Sequence, residues 1–384
     1  MIDFIRDTIR ERGPVPFAWF MQQALYHPGH GYYSSGRCAI GRGGDYFTSV
    51  SIGPLFGRLL AAQFAEIWEA LGCPVEFSIV EQGAHGGEFA QDVLGAAQRH
   101  HHGFFEALSY RIIEPFPALE LRQAAALAGF SRKVSWRSSL ADLKPFEGVH
   151  FSNELIDALP VHLVKWTGHE WLERHVTEGE DAFELIDLPF STPELADRAA
   201  TIPLPLPAGY ETEINLAALR WIEALAPKLE RGFVIAVDYG YARDEFFALQ
   251  RTSGTLRAYA RHRFVTSPLT HVGQADLSAH VEWTSLAEHA ARCGCALAGF
   301  TDQHRFITGL LAGPLRDEFA SGQDAKAARE LQTLLHPEHL GMKFQFLMLA
   351  KGIEVPARLS GLRFARDPRP QLSHSLTRLV ASDF

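Results

Sequence analysis

The amino-acid sequence predicts an α/β fold: a doubly wound, mostly parallel sheet with antiparallel closing strands, an N-terminal helical segment and an inserted β-rich flap. Three observations carry this. From Phe77 to Asp238, short apolar runs alternate with helical patterns, as strands covered on both faces do. The run Phe77-Ser-Ile-Val-Glu81 ends in an acid and turns through Gly83, Gly86 and Gly87 into a helical pattern. In an open α/β sheet, that crevice holds a nucleotide-like ligand. The last two apolar runs, Ala296–Phe300 and Phe344–Ala350, have no regular crossover between them and predict an antiparallel edge.

In chain order, residues 1–72 read as two or three helices broken by prolines and by glycines from Gly29 to Gly44. The last, from about Pro54 to Leu71, carries a stripe of Leu55, Leu59, Ala62, Ala65 and Trp68. Strands are expected at Phe77–Glu81, Tyr110–Glu114, Lys133–Trp136, Val149–Ser152 and Gly232–Asp238. Helices are expected at Gly87–Arg99 and Ala118–Leu127. Between the fourth and fifth strands, about 159–210, Val161–Trp166 and Glu170–Val176 flank Thr-Gly-His, a hairpin signal, and Phe183–Leu188 adds a third strand. Residues 193–207 are proline-rich, and a helix from about Ile214 to Leu229 leads back to the sheet. After the fifth strand come a loop-rich segment (241–275) and a helix at Leu277–Cys293. Helices near His304–Ala312 and Arg316–Leu335 separate the closing strands. The expected domains are therefore 1–72, 73–352 with its insertion, and a tail at 353–384. From Lys351 onward six bases meet three acids, which suits either a partner-binding arm or a surface strap packed through Leu359, Leu362 and Phe364.

Bulk properties exclude several classes. A net charge of -9 lacks the clustered positive footprint of a nucleic-acid binder. No apolar run reaches the length of a membrane span. The start, Met1-Ile-Asp-Phe-Ile-Arg-Asp, has neither a signal-peptide apolar core nor the acid-poor character of a presequence, so a cytoplasmic location is expected. Cys38, Cys73, Cys293 and Cys295 are not spaced as metal ligands, and no metal is expected. His100-His101-His102 before Gly103 reads as a solvated helix C-terminus.

The glycine turn carries the chemistry. Its pattern, Gly83-x-x-Gly86-Gly87, does not match the G-x-G-x-x-G dinucleotide fingerprint. The next acid at a strand end, Glu114, lies 31 residues beyond Gly83, further than the usual 20 or so. Glu81 would repel a pyrophosphate but suits an ammonium, such as the methionine portion of S-adenosylmethionine. Glu114 is placed to accept ribose hydroxyls, or else is a cap-like acid before the next helix. At the fourth strand end, Asn153 and Glu154 reach the crevice edge, with Asp157 at i+3 from Glu154. Paired carboxylates match a guanidinium, which takes bidentate hydrogen bonds. Helix N-capping with a first-turn acid accounts for the same residues.

Separated segments then resemble one family. Tyr26-His-Pro28-Gly-His-Gly31-Tyr-Tyr33, Gly44-Asp45-Tyr-Phe47-Thr48-Ser49, Glu81-x-Gly83-x-x-x-Gly87, Asn153-Glu154-Leu-Ile-Asp157-Ala-Leu-Pro160, Asp238-Tyr239-Gly240, Thr255-Leu-Arg257-Ala-Tyr259 and Gly273-x-Ala-Asp276-Leu-x-Ala-His280-Val resemble the MidA family of S-adenosylmethionine-dependent methyltransferases. That family includes the mitochondrial complex I assembly factor that dimethylates an arginine on a partner subunit. The resemblance implies a class I methyltransferase (Rossmann-like) fold, S-adenosylmethionine as cofactor, and a protein substrate, with a respiratory-complex subunit as one candidate. It implies cofactor contacts from Asp45, Thr48, Glu81, Gly83, Ala84, His85, Gly87, Glu114, Ser139, Leu140 and Asn153. Glu154 and Asp157 would orient an acceptor arginine, with Tyr239, Arg257, His262, Asp276 and His280 lining the acceptor side. Asp276 reads equally as the N-cap of a helix from Leu277. A non-catalytic scaffold and a small-molecule methyltransferase are the alternatives. The sequence departs from the family pattern at His85, where a glycine is common, at Glu88, and at Ser138, where an acid often meets the adenine.

Overall fold

The computed structural model describes residues 1–35, 49–260, 263–313, 315, 324–354, 359–367 and 372. They fall into two compact units that share the chain by turns. The first comprises residues 1–47, 156–220 and 241–282, and the second 48–155, 221–240 and 283–384.

The second unit is built on the expected sheet. Seven strands follow in the order Ala296–Asp302, Phe344–Lys351, Leu229–Tyr241, Phe146–Asn153, Phe77–Gln82, Leu108–Ile113, Val134–Arg137. Leu229–Tyr241 onward they run parallel, whereas Phe344–Lys351 lies antiparallel to both its neighbours. The expected antiparallel closing edge is therefore present. Helices Leu55–Ala70 and Glu88–His100 supply Phe56, Phe64 and Phe89 to the core, where Phe89 stacks on Phe151 of the sheet at 4.4 Å. Burying such side chains contributes about 1.5–3 kcal/mol each. His100 ends its helix as expected, but His102 opens a further short one, His102–Ala107. In the tail, Leu359 is buried and the Ser360 N–H donates to Glu66, a strap held at that point.

The first unit holds the flap. Its strands run Val15–Pro16, Trp171–Glu178, His162–Trp166, Tyr210–Ile214, with Phe183–Leu188 added on Trp171–Glu178. The hairpin at Thr167–Glu170 closes through the Thr167 N–H to the Glu170 carbonyl. Two strands here escape the sequence reading. Val15–Pro16 sits between two helices and is extended because proline fixes φ and its partner strand accepts it. Tyr210–Ile214 ends where a helix was expected to begin. The proline-rich stretch contains a helix, Pro193–Ala199, with the Thr192 side chain accepting from the Glu194 N–H and proline at the first position.

Two expectations are corrected. The helix anticipated at Leu277–Cys293 begins only at Trp283. Residues 276–278 form a strand paired with Arg257–Ala260, itself inside the segment read as loop. Asp276 is thus no helix cap. Likewise 154–160 form bends and turns, not a helix, so neither the i+3 helical spacing nor the helix-capping account applies there.

Candidate cofactor and acceptor sites

In the second unit the parallel strands bring the expected cofactor residues to one edge. Glu81 stands one residue before the end of its strand, 3 % exposed, and accepts from the Tyr110 hydroxyl at 2.7 Å. Burial pushes its carboxyl up to about 8, the Glu88 charge adds to this, and the Tyr110 hydrogen bond opposes it. A buried carboxyl held partly neutral in this way is stabilised as the anion by a cation.

The turn after it runs through Gly83, buried Ala84, His85 and Gly87. Gly83 (φ 83°) and Gly87 (φ 89°) lie in the left-handed region, which only glycine enters cheaply. His85 is there as well (φ 46°), so the departure from the family glycine is a strained residue. Glu88 is exposed and its carboxylate folds back over Gly86.

Glu114 follows the next strand, 6 % exposed. It accepts from the Phe116 N–H at 3.0 Å and from Gln123 Nε2 at 2.8 Å. Burial raises its carboxyl and these bonds oppose the rise. Gln123 was missed by sequence reasoning. It is fully buried, donates also to the His85 carbonyl at 2.9 Å, and accepts from Trp136 Nε1 at 2.9 Å. One side chain therefore ties the glycine turn, Glu114 and the third strand together. The available signal was a glutamine on an otherwise apolar helix face.

Ser139 and buried Leu140 form the turn after Val134–Arg137. Ser138 and Ser139 both donate to Asp142 at 2.8 and 2.7 Å, an acid four residues past the one absent from Ser138. Asn153 closes its strand. Its Nδ2 donates to Glu154 Oε1 at 3.0 Å, and its Oδ1 is buried with no hydrogen-bond partner among the described residues. Glu154 has φ 52° and its N–H donates to the Val237 carbonyl. Tyr239, on the neighbouring strand, packs edge-on against Phe344. Two carboxylates and an unmatched buried acceptor along one edge fit a ligand with an ammonium and hydroxyls, as S-adenosylmethionine has.

In the first unit Arg257 and Asp276 lie on the paired strands Arg257–Ala260 and Asp276–Ser278 of a three-stranded sheet, and His280 follows two residues after the second. Asp276 accepts from the Tyr33 hydroxyl at 2.7 Å. The His280 N–H donates to Thr255 Oγ1 at 3.0 Å, and its ring lies 5.1 Å from that of Tyr241. Burial, with Arg251 and Arg257, lowers the His280 imidazole to about 4, so it is neutral at pH 7. Asp157 is 6 % exposed and its carbonyl accepts from the Ala279 N–H. Glu213, also missed, is buried and receives the Thr255 and Leu256 N–H groups at 2.7 and 2.8 Å. Asp45, Thr48 and His262 lie outside the described residues.

A family of S-adenosyl-L-methionine-dependent methyltransferases matches residues 59–301. The chain is similar to a solved Burkholderia thailandensis protein bound to S-adenosyl-homocysteine, at 31 % identity and a TM-score of 0.85, covering 95 % of each chain. Among curated proteins it is 26 % identical to the Drosophila melanogaster mitochondrial protein arginine methyltransferase NDUFAF7 homolog, over 91 % of this chain and 84 % of that one. It is 25 % identical to the human mitochondrial protein arginine methyltransferase NDUFAF7, over 96 % and 86 %. These relatives correct the expected cytoplasmic location: they are named mitochondrial, and nothing supports the cytoplasm for this chain. Among the described residues no helix is long and apolar enough to cross a membrane.

Proposed function

The chain belongs to the family of S-adenosyl-L-methionine-dependent methyltransferases, and from that premise we propose that it methylates an arginine side chain of a partner protein. The observation that supports an arginine acceptor is the acid-rich turn after Phe146–Asn153, where Glu154 and the buried Asp157 follow the strand end in a bend and not in a helix. Carboxylates hold a guanidinium by charge-assisted, bidentate hydrogen bonds that fix its plane. The relatives named as protein arginine methyltransferases favour the same acceptor class. A respiratory-complex subunit is the partner the MidA resemblance suggests.

On this reading Glu81, the turn from Gly83 to Gly87, Glu114, Ser139, Leu140 and Asn153 hold the cofactor, which when bound supplies an electrophilic sulfonium methyl. The MidA resemblance adds Asp45 and Thr48 to the cofactor contacts. The chain's own contribution is positioning: the acceptor nitrogen is held in line with the methyl, and the carboxylates select its orientation. The MidA resemblance assigns the acceptor side to Tyr239, Arg257, His262, Asp276 and His280.

Radiolabelled methyl transfer to lysate proteins, followed by acid hydrolysis and separation of methylated amino acids, tests the proposal. Label in methylarginine that is lost in Glu154→Ala and Asp157→Ala supports it. Label only in other residues, or only in small molecules, rejects it.

A further inference from the structure

We propose that the edge of the second unit's sheet, formed by Leu108–Ile113 and Val134–Arg137, docks an extended, acidic segment of a partner protein through Arg111 and Arg137. This goes beyond the acceptor reading and does not depend on it.

Parallel strands covered on both faces are continuous apolar runs. These two are not. Ser109-Tyr-Arg111 and Ser135-Trp-Arg137 repeat one alternating pattern, and the strands pair in parallel with Tyr110 opposite Val134, Arg111 opposite Ser135 and Ile112 opposite Trp136. Successive side chains of a strand point to opposite faces. Ser109, Arg111, Ser135 and Arg137 therefore share one face, and Tyr110, Ile112, Val134 and Trp136 the other. The apolar face is covered: Tyr110 and Ile112 are fully buried, and Gln123 of helix Pro117–Ala126 accepts from Trp136 Nε1 there. On the polar face all four side chains stay partly exposed.

The two arginines have no acid of their own. Among the described residues no carboxylate lies within ion-pair distance of either guanidinium, although the chain carries 45 acidic residues against 36 Lys and Arg. Burial and the Arg137 charge lower the Arg111 guanidinium from its ordinary value, with Glu76 opposing. An incoming carboxylate relieves that repulsion and takes charge-assisted hydrogen bonds from the fork of each arginine. Sheet geometry sets the two Cα atoms about 8 Å apart, close to the roughly 7 Å between alternate residues of an extended chain. Acids at alternate positions of such a segment match the pair.

The backbone offers the rest of the site. Val134–Arg137 is the outermost strand of its sheet. The Tyr110 and Glu114 N–H groups donate to the Lys133 and Arg137 carbonyls, so the peptide groups of Val134 and Trp136 turn to the outer edge. Arg137 reaches that edge too, where its Nη1 donates to the Trp136 carbonyl. An unpaired edge accepts a further strand, and main-chain bonds then supply affinity while side chains select the partner. Antiparallel pairing with a second copy would set the arginines of both copies on one face, where like charges repel. The charge thus guards the edge against self-association and admits an acidic strand.

The test uses the full-length protein and two fluorescein-labelled peptides, one alternating glutamate with valine and one alternating lysine with valine, read by fluorescence anisotropy. The wild type should bind the glutamate peptide and not the lysine peptide, with affinity falling about fivefold as salt rises from about 0.05 M to about 0.5 M. Arg111→Gln and Arg137→Gln should each weaken binding about tenfold, with S-adenosylhomocysteine affinity unchanged. Reversing both charges, with Arg111→Glu and Arg137→Glu together, should exchange the preference for the lysine peptide. Circular dichroism confirms folding, and Arg111→Lys, which keeps the charge and loses the fork, should weaken binding about threefold where the larger changes misfold. Saturating glutamate peptide should slow amide exchange at Trp136 about tenfold, a protection that adsorption onto the arginines without strand pairing would not give. No binding at millimolar peptide, equal binding of the two peptides, wild-type affinity in the folded arginine variants, or unchanged exchange at Trp136 overturns the proposal. Tighter binding of a thymidine oligonucleotide than of the glutamate peptide overturns it as well, since the face would then serve nucleic acid.

Discussion

Tyr110 and Glu81 lie on adjacent parallel strands, and the Tyr110 hydroxyl donates to Glu81 Oε2 across 2.7 Å. This bond is the one interaction among the causes of the Glu81 shift that favours its ionised form, against burial and the Glu88 charge. On the proposed assignment of Glu81 to the cofactor ammonium, it bears on cofactor binding.

With the Glu81 carboxyl at about 8, the free site at pH 7 is mostly protonated there. An ammonium is held by the anion, so binding lowers this value and releases a proton. Affinity for S-adenosylmethionine should consequently fall as the pH drops below about 8, by up to about tenfold per unit. Calorimetry at pH 7 in two buffers of different ionisation enthalpy reads the released proton directly. Identical enthalpies in the two buffers would contradict the assignment of Glu81 to the ammonium.

Tyr110→Phe isolates the hydrogen bond. Bonds to charged groups are worth about 1.5–3 kcal/mol, so cofactor affinity at pH 7 should drop about tenfold or more, and the pH dependence should shift upward. Glu81→Gln should abolish the proton release altogether. A Tyr110→Phe protein with the wild-type pH profile of binding would show that the bond does not tune Glu81.

Gly83→Val tests the turn. A Cβ at Gly83 would meet Leu155 at 3.6 Å and the Asn153 carbonyl at 3.9 Å, both ordinary contacts, so crowding inside the protein is not the problem. The cost comes from φ 83°, about 1–2 kcal/mol for a non-glycine residue, and from a branched side chain on the exposed face. The protein should stay folded, with its melting temperature a few degrees lower, while S-adenosylhomocysteine binding is lost by calorimetry. Retained binding would mean that the ligand does not approach this backbone.

His150 gives the pH dependence of stability. It is fully buried in the central strand against the Trp221 ring, and neither ring nitrogen has a hydrogen-bond partner among the described residues. Burial alone lowers its imidazole to about 3. The folded value lies below the unfolded 6.5, so the unfolded chain takes the proton first. Stability is fully present above about 6.5 and falls by up to about 1.4 kcal/mol per pH unit as the pH drops towards 3. Urea unfolding between pH 7 and pH 5 measures this slope, and His150→Phe should make it shallower. Equal slopes in the two proteins would assign the acid sensitivity elsewhere.

What the sequence made legible follows from where each signal resides. Continuous apolar runs announce buried parallel strands, so the sheet around Phe77, Tyr110 and Phe151 could be read from local pattern. Glu81, Glu114 and Asn153 were visible because each ends or directly follows such a run. Residues 276–278 were not, since Leu277 and the residues after it carry helical periodicity, and only pairing with Arg257–Ala260 makes them a strand. The turn at Glu154 failed for a similar reason. Its left-handed φ is imposed by tertiary contacts such as the Glu154 N–H to the Val237 carbonyl, which no local rule contains. Gln123 and Glu213 act through partners distant in sequence, so their types were visible but their roles were not.

Glu213 supplies the last prediction. It is 4 % exposed, and its carboxylate receives the Thr255 N–H at 2.7 Å, the Leu256 N–H at 2.8 Å and the Thr255 hydroxyl at 3.1 Å. Gly254 allows this approach, because a Cβ there would collide with the Glu213 carboxylate. Thr255 in turn accepts the His280 N–H, so one carboxylate anchors the segment entering the Arg257 strand and, through Thr255, the backbone of His280. Glu213→Ala leaves buried donors unmatched, at about 1–3 kcal/mol for each group that water cannot reach. A total loss of about 3 kcal/mol is expected, concentrated locally. Amide hydrogen exchange at Thr255, Leu256 and His280 should therefore accelerate by about 100-fold, with the amides of Phe146–Asn153 much less affected. Glu213→Gln keeps one acceptor oxygen and should lie between the two. Uniform acceleration across the chain would show that Glu213 supports global stability and not this segment.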